Sequence, residues 1–440
     1  MPSHLGPAFL TILTNDQRVG ELSKDAEGMV GFSYDEAWLA RAYAPPVSIS
    51  LPLREEPYTD APVLALFANL LPDSQTHCDQ IADRVGAAGA DTYSLFAEIG
   101  GDCAGALHIV PGGDPSEHDL TAIEGEPLDE EGVEALLQGL SDAPLGLAPD
   151  DPFRIAVAGA QKKTALLLQD GQWFKPHRTT PTTHILKTQI GKLPTGTDLS
   201  NSVENEYYCL KLAEAFGLPV ANAEIRVFGD TRTLVVERFD RKHDETGQLV
   251  RLHQEDMCQA LSVHPSIKYE RKGGPGVAQI LKVLEGSDDP ARDQEIVLKA
   301  QLLFWLTGAT DGHAKNFSIF LGPGGAFRLA PLYDILTVEP SIADGSAGGL
   351  NPRLAMSVGA DRQHTIAEIG ARHFVETAEQ AGLSGSFAKT VMEEIADEAP
   401  SAIAAVEASL NDALFEPIHE IIKSVMTQRI GKLHRSASEA

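Results

Sequence analysis

The segment TDGHAKN, at residues 310–316, places Asp311 five positions before Asn316. A strand–turn–strand hairpin is predicted over 317–330, and Asp334 follows it. Catalytic loops of protein kinases have this arrangement: an aspartate as base, an asparagine shortly after it as metal ligand, and a metal-binding aspartate one hairpin later. The chemistry explains the spacing, because phosphoryl transfer needs a carboxylate beside the acceptor hydroxyl and hard oxygen ligands for magnesium.

A simpler interpretation is also open for these positions. The Asp311–Asn316 spacing is then a coincidence, and Asp334 only caps a turn. The intervening hairpin, with its Gly-Pro-Gly-Gly turn, favours a phosphoryl-transfer site.

Length and charge limit the classes of protein to consider. A chain of 440 residues is too long for one ordinary core, so two or three lobes are expected. A hydrophobic content of 43% with 22% charged residues is typical of a soluble globular protein. The net charge of −28 disfavours unaided binding to nucleic acid, because Lys and Arg must neutralise the phosphates. It suits a basic protein partner, or simply solubility.

Cysteines and apolar runs exclude several further classes. The four cysteines show no C-x-x-C pair, so neither a disulfide framework nor a zinc site is predicted: Cys78, Cys103, Cys209 and Cys258. The N-terminus lacks a basic region before an apolar run, and the longest apolar stretch, 296–306, is interrupted by Lys299 and Gln301. We therefore expect no signal peptide, no membrane span and a cytoplasmic location.

The first part of the chain is predicted to combine a small antiparallel sheet with helices. The sheet is expected over 8–34, with turns at 15–16 and 25–28. Ser74 and Asp91 are candidate N-caps for two of the helices. The predicted elements are helices 63–71, 75–85 and 92–99, strand 106–111, and helix 129–140 inside an acidic connector over 112–151.

The remainder is predicted to be strand-rich and then helical, which is the order of the two lobes of a kinase. Strands are expected at 153–157, 164–169, 172–175, 183–188, 223–228 and 233–238, with a helix at 203–216. Helices are expected at 255–262, 276–284, 291–307, 367–381, 386–398 and 400–432. We thus predict an α+β, bilobal kinase-like fold with an all-helical C-terminal lobe. The predicted divisions are 1–111, 112–151, 152–250 and 251–440.

A kinase also needs a loop over the phosphates and a lysine on a strand, and each has a candidate. Residues 158–163 lie between two predicted strands, where small residues let backbone N–H groups approach phosphate oxygens, although an ordinary hairpin would look alike. Lys187 ends a predicted strand and is either a phosphate ligand or solvated. Of the two acids on the next helix, Glu206 shares a face with apolar residues and is the candidate partner of Lys187, whereas Glu204 is expected on the wetter side. The alternative is that Glu206 lies at the frayed N-terminal end of the helix, where its charge only complements the helix dipole.

The segment LVVERFDR, at residues 234–241, runs from an apolar strand abruptly into charged residues. An adenine-binding hinge needs such a change, because its backbone must be available to the base. Asp240 and Arg241 are equally consistent with a surface ion pair of little energetic value. His313 either contacts phosphate or forms a hydrogen bond within its own loop. Motifs for P-loop, dinucleotide-binding, zinc-protease and hydrolase sites are absent from the sequence.

Taken together, these segments resemble HipA-type toxin kinases, the serine/threonine kinase half of bacterial toxin–antitoxin pairs. The resemblance extends over essentially the whole chain. It rests on the segments QRVGEL (17–22), SLPL (50–53), NLLPDS (69–74), VAGAQ (157–161), NEYYC (205–209), VERFDR (236–241), QEDMCQ (254–259) and TDGHAKN (310–316).

The resemblance implies roles for particular residues. Asp311 would be the catalytic base, and Asn316 and Asp334 would hold Mg²⁺. ATP would be surrounded by Ala158, Gly159, Ala160, Gln161, Lys162, Lys163, Lys187, Glu237, Arg238, Phe239, His313, Ala314, Lys315, Asn316, Tyr333 and Asp334.

It also implies a substrate and partners. The acceptor would be a serine of a host protein, typically an aminoacyl-tRNA synthetase such as glutamyl-tRNA synthetase, whose phosphorylation halts translation and promotes persistence. A HipB-like, dimeric helix-turn-helix antitoxin would neutralise the toxin and carry it to operator DNA in a repressor complex. Two other functions remain open: a catalytically dispensable, antitoxin-dependent corepressor, and a kinase of small molecules or lipids.

One position departs from the family pattern. Many members carry a serine just before the VAGAQ segment, and its autophosphorylation ejects the loop and silences the kinase. This chain has Ala156 there. Either the chain lacks that switch, or the alanine was introduced to trap an active form.

Overall fold

Buried and partly exposed side chains alternate along the strand Val30–Tyr34, in which Val30, Phe32 and Tyr34 are buried, as expected for a strand of a packed sheet. The structure, a computed structural model, describes residues 9–15, 17–112, 123–149, 151–159, 161–410 and 413–437. The strands are β1 (Phe9–Thr14), β2 (Gln17–Lys24), β3 (Val30–Tyr34), β4 (Tyr58–Thr59) and β5 (Leu107–Pro111), in the antiparallel order β4-β3-β2-β1-β5. The sheet predicted over 8–34 is confirmed, apart from Asp16 and residue 8, which lie outside the described residues.

Side-chain caps set the starts of two of the predicted N-terminal helices. The Ser74 hydroxyl accepts from His77 N, and the Asp91 carboxylate accepts from Ser94 N. The helices are α1 (Glu36–Leu39), α2 (Ala61–Ala68), α3 (Gln75–Val85) and α4 (Thr92–Ile99). Both predicted caps and the bounds of α3 and α4 are confirmed.

A second sheet has the strand order β12-β13-β9-β7-β8-β6. The elements of this region, in chain order, are β6 (Gly125–Leu128), α5 (Glu130–Gln138), β7 (Lys163–Gln169), β8 (Gln172–Pro176), β9 (His184–Thr188), β10 (Gly191–Lys192), β11 (Asp198–Leu199), α6 (Ser202–Ala215), β12 (Ala223–Phe228) and β13 (Thr231–Glu237). Leu166, Trp173 and Leu186 pack with Val133 of α5 in one apolar cluster. The predicted strand 153–157 is wrong: its backbone bonds to a loop, with Ala156 N donating to Asp102 O at 2.9 Å.

The C-terminal part is mostly helical but not entirely so. Its elements are β14 (Arg241–His243), β15 (Leu249–Arg251), β16 (Gln254–Asp256), α7 (Met257–Ala260), α8 (Val277–Val283), α9 (Pro290–Thr307), β17 (Ser318–Leu321), β18 (Phe327–Leu329), α10 (Glu339–Ala343), β19 (Arg353–Val358), β20 (Gln363–Thr365), α11 (Ala371–Gln380), α12 (Gly385–Ser409) and α13 (Glu416–Ala437). The antiparallel pair β19–β20 contradicts the prediction of an all-helical lobe.

The predicted break between helices at residue 399 is also wrong. Helix α12 runs through Pro400, which lies on its exposed side, while Ile395, Ala399 and Ile403 stay buried on the other. Proline removes one backbone hydrogen bond, but the continuous buried face keeps the helix together.

The chain packs as two units that are interleaved along the sequence. The first unit comprises Met1–Thr188, Arg226–Ser266 and Ile319–Ala326, and the second comprises Gln189–Ile225, Ile267–Ser318 and Phe327–Ala440. The four predicted divisions, 1–111, 112–151, 152–250 and 251–440, stay a prediction. Within the described residues, every helix is too short or too polar to cross a lipid bilayer.

Candidate active site

Asn316 and Asp334 meet in the second unit, as the kinase-like spacing predicts. Asn316 Nδ2 donates to Asp334 Oδ2 at 3.1 Å. Asn316 ends a short 3-10 turn, Ala314–Asn316, and its Oδ1 accepts from His313 N at 3.2 Å. The loop and the residue after the hairpin therefore bring two oxygen-bearing side chains together.

The backbone of Asp334 is in an unusual conformation. Its φ angle is +59°, in the left-handed region that a non-glycine residue seldom adopts. Such conformations cost free energy and concentrate at functional sites, where the surrounding structure maintains them. At the base of the preceding hairpin, Ala330 N donates to Ser318 O at 2.8 Å. The hairpin thus returns the chain to the loop that carries Asn316.

Asp311 is exposed, and its carboxylate has a partner that the sequence did not indicate. The Tyr269 hydroxyl donates to Asp311 Oδ1 at 2.7 Å. The Tyr269 ring also packs edge-on against His313, with centroids 5.1 Å apart. Tyr269 lies 42 positions before Asp311, so spacing along the chain offered no signal for it.

The loop residues that follow Gly312 are buried, and Tyr333 forms a hydrogen bond to their backbone. Tyr333 OH donates to Lys315 O at 2.7 Å and lies 2.6 Å from Ser318 Oγ. His313, Ala314 and Lys315 are all buried. The backbone N of His313 donates to Asn316 Oδ1, and the choice between the two roles considered for its side chain stays a prediction.

In the first unit, two lysines face each other across neighbouring strands. Lys163 of β7 and Lys187 of β9 are register partners, so their side chains lie on the same face of the sheet. Both are buried. The pair therefore places two positive charges on one face of this sheet.

The segment before β7 is a tight turn. Gly159 has a φ of +103°, which favours glycine, and a Cβ there would collide with Lys163 Nζ. Lys163 Nζ donates to Ala158 O at 2.7 Å, and Gln161 Nε2 donates to Thr188 O at 3.0 Å. Lys162 Nζ donates to Ser141 Oγ at 2.7 Å. Ala160 lies outside the described residues.

Ala156 is completely buried at the start of this segment. The nearest hydroxyl downstream, on Thr164, is also buried and donates to Leu145 O at 2.8 Å. The Thr164 hydroxyl is therefore already engaged within the fold.

Of the hinge candidates, Glu237 ends β13, and Arg238 and Phe239 follow it directly. Glu237 is exposed, and Phe239 packs edge-on against Phe320 at 5.6 Å. Arg238 N donates to Thr183 O at 2.8 Å, and the Arg238 side chain turns into the interior.

Asp240 and Arg241 are not a surface pair, contrary to one of the two predictions for them. Both are buried, and they belong to a cluster of charged residues in the first unit: Asp102, Arg238, Asp240, Arg241 and Arg251. Asp102 Oδ1 accepts from Arg241 Nη2 and Arg251 Nη2, each at 2.9 Å. The error arose because Asp102, which binds Arg238 and Arg241, lies more than 130 positions before them in sequence.

The arginines control the ionisation of both aspartates. Burial disfavours the charged form of Asp102, but Arg241, Arg238 and Arg251 outweigh it and hold the pKa of Asp102 well below its usual range. Burial opposes the charge of Asp240 as well, and Arg238 and Arg241 nevertheless lower the pKa of Asp240 to about 2. Both carboxylates are therefore charged at neutral pH.

The two acids of α6 are both buried. Glu204, predicted on the wetter side, accepts from Gln189 Nε2 at 2.8 Å, so that prediction is wrong. A hydrogen bond from Gln189 replaces the solvent contact that helical periodicity suggested. Lys187 lies in the first unit and Glu206 in the second, and their pairing stays a prediction.

Comparisons with known proteins identify the family. Residues 155–403 match the HipA-like C-terminal domain, and residues 10–110 match the HipA N-terminal domain. The chain belongs to the HipA family. As a HipA-type protein kinase, it is similar to the putative kinase Y4mE of Sinorhizobium fredii, with 36% identity over 92% of this chain and 93% of that protein.

Two further comparisons match HipA proteins or complexes of Shewanella oneidensis. The serine/threonine-protein kinase toxin HipA of that organism is 31% identical over 74% of each chain. A structure of the HipA, HipB and operator DNA complex contains a similar chain, with a TM-score of 0.79, 27% identity, and coverage of 96% of this chain and 97% of that one. This likeness confirms the predicted kinase-like fold.

Proposed function

We propose that this protein transfers the γ-phosphate of ATP to a serine of a host protein and acts as a bacterial toxin. Asp311 accepts the proton of the serine hydroxyl. The observation that carries the proposal is the contact between Asn316 and Asp334, on either side of the hairpin that follows Asp311. This set of groups is what phosphoryl transfer requires.

The donor set fits magnesium. Mg²⁺ prefers oxygen ligands, and Asn316 and Asp334 supply an amide and a carboxylate oxygen. A carbonyl oxygen has two lone pairs, so Asn316 Oδ1 can accept from His313 N and still bind a metal ion. These two residues would hold the ion, which neutralises charge on the ATP phosphates when bound.

Lys163 and Lys187 support a phosphate site in the first unit, since two buried cations lie opposite each other there. We assign the phosphate loop to Ala158–Lys163 and the adenine hinge to Glu237–Phe239. The other residues that we propose as ATP ligands, His313–Asn316, Tyr333 and Asp334, belong to the second unit.

The acceptor we propose is an aminoacyl-tRNA synthetase, with glutamyl-tRNA synthetase the first to examine, in the cytoplasm. Its phosphorylation would halt translation and promote persistence.

To test this acceptor, purified protein is incubated with labelled ATP, Mg²⁺ and cell lysate, and phosphosites are mapped. Phosphoserine on a synthetase supports the proposal, whereas label only on a metabolite or lipid would assign a different acceptor class.

We also propose a HipB-like, dimeric helix-turn-helix antitoxin as partner. The support is the likeness to the chain in the HipA, HipB and operator DNA complex. In this proposal the toxin reaches operator DNA only through the antitoxin.

A mobility-shift experiment tests the antitoxin dependence. With a net charge of −28, the toxin alone should show no specific band shift on operator DNA at physiological salt. Adding the basic antitoxin should produce one. Tight, sequence-specific binding by the toxin alone would refute this part of the proposal.

Ala156 leads to a prediction about regulation. The purified protein should stay unmodified at this position when incubated with ATP and Mg²⁺, and it should keep its activity. Ala156→Ser should give one phosphorylated species that progressively loses ATP binding. The added charge of about −2 on a residue that is now buried would oppose the seated loop.

Intact-mass spectrometry over time on both proteins measures this difference. Thr164→Val in the Ala156→Ser background is the control, because the Thr164 hydroxyl already donates to Leu145 O. If the alanine protein silences itself as fast as the serine variant, inhibition proceeds through another residue.

A further inference from the structure

Tyr269 occupies one oxygen of the candidate base. Its hydroxyl donates to Asp311 Oδ1 at 2.7 Å, with the tyrosine partly buried and the aspartate exposed. A carboxylate has two oxygens, and in the proposed function the acceptor hydroxyl would donate to Oδ2. The hydrogen bond to Oδ1 restrains the rotation of the carboxylate.

The backbone around Tyr269 is folded tightly. A 3-10 turn, Glu270–Lys272, follows it directly. The Tyr269 carbonyl accepts from Lys272 N at 2.8 Å and from Gly274 N at 3.0 Å. The position of the tyrosine is thus fixed by its own turn.

Glu270 anchors this turn to the β19–β20 hairpin. Its buried carboxylate accepts from Ser357 N at 2.5 Å, from Ser357 Oγ at 2.8 Å, and from Arg362 Nη2 and Nε at 2.9 and 3.2 Å. Ser357 lies in β19, and Arg362 lies in the turn before β20. Hydrogen bonds to a buried charged group are among the strong ones, so the turn is held firmly.

The Tyr269 ring makes a second contact with the catalytic loop. It packs edge-on against buried His313, two positions after Asp311, and His313 N in turn donates to Asn316 Oδ1. Hydroxyl and ring therefore restrain the same loop at two points.

We propose that Tyr269 is a positioning residue for Asp311, anchored through Glu270 to the β19–β20 hairpin; this inference rests on the proposed kinase function. The firm anchoring favours a positioning role over a gate, because a gate that covers the base must move away before the acceptor binds. The β19–β20 hairpin thereby gains a role in catalysis as a support for the base.

The test is Tyr269→Phe, assayed by transfer of label from ATP to proteins of a clarified lysate. We expect the rate at saturating ATP to fall about tenfold or more, since a hydrogen bond to a charged group is lost. The KM for ATP and the melting temperature should not change. Tyr207→Phe is the matched control, because Tyr207 is a tyrosine of the same unit that packs 6.0 Å from Phe415.

A second variant separates positioning from a general structural effect. Glu270→Gln should also lower the rate, because the anchor to Arg362 loses its charge. If Glu270 acts through Tyr269, the variant with both Tyr269→Phe and Glu270→Gln should transfer phosphate no more slowly than the slower of the two single variants. Losses that multiply would show two independent effects and overturn the anchoring.

The outcomes separate this inference from the proposed function. A wild-type protein with no ATP-dependent transfer to protein would overturn both. An active wild type with an equally active Tyr269→Phe variant would overturn only the positioning role. A faster variant, or one that saturates at lower lysate concentration, would show that Tyr269 obstructs the acceptor, which also contradicts the inference.

Discussion

Asp311→Asn is expected to lower the rate of phosphoryl transfer by about a thousandfold, the range that a general base contributes. Asparagine keeps the size of the side chain and an oxygen that can accept from Tyr269 OH, so the loop should stay in place. What it loses is the ability to take the proton of the acceptor hydroxyl. The affinity for ATP with magnesium should therefore be largely unchanged.

Transfer kinetics measure the rate of phosphoryl transfer, and calorimetric titration with ATP and Mg²⁺ measures the nucleotide affinity. Asp334→Ala is the contrasting variant, because its proposed role is to bind the metal, and it should weaken magnesium-dependent ATP binding. Retention of a near-full rate by Asp311→Asn would remove Asp311 from the role of base. Unchanged nucleotide affinity in Asp334→Ala would count against its metal role.

Features encoded by neighbouring residues could be predicted from the sequence. The caps at Ser74 and Asp91 act over three positions, and the bounds of α3 and α4 followed from them. Asn316 and Asp334 lie on either side of one hairpin, so their contact also follows from local turn chemistry.

Features that depend on distant contacts could not be predicted in this way. Pro400 would end a helix in isolation, but the buried face of α12 overrides that preference. Tyr269 contacts Asp311 from 42 positions earlier, and the adjacent Glu270 is bound to Ser357, which lies 87 positions after it. Arg241 appeared solvent-exposed because its partner Asp102 lies 139 positions before it.

That buried cluster gives the largest expected effect on stability. Asp102→Asn removes one of two negative charges among three buried arginines, Arg238, Arg241 and Arg251. Breaking a buried charge pair costs about 3–5 kcal/mol, because the remaining charge has no compensation. For a unit of this size, the melting temperature should fall by about 10 °C.

The dependence on pH follows from the same contacts. The pKa of Asp102 is lower in the folded protein than the value of about 3.9 expected when the chain is unfolded. Its stabilising effect is therefore fully present above that value and is lost as the pH falls below it, since the unfolded chain then binds the extra proton. In Asp102→Asn, this part of the acid dependence should be missing.

Thermal melts of both proteins between neutral pH and pH about 2 measure the two effects together. Asp79→Asn is the matched control, because Asp79 is an exposed aspartate of the same unit whose carboxylate accepts from Gln75 Nε2 at 3.0 Å. If Asp102→Asn melts at the wild-type temperature at neutral pH, the cluster does not stabilise the first unit.

Since Asp102 O also accepts from Ala156 N, a loosened cluster should release the start of the proposed phosphate loop as well. Weaker ATP binding by Asp102→Asn, measured well below its melting temperature, is the expected sign of that connection.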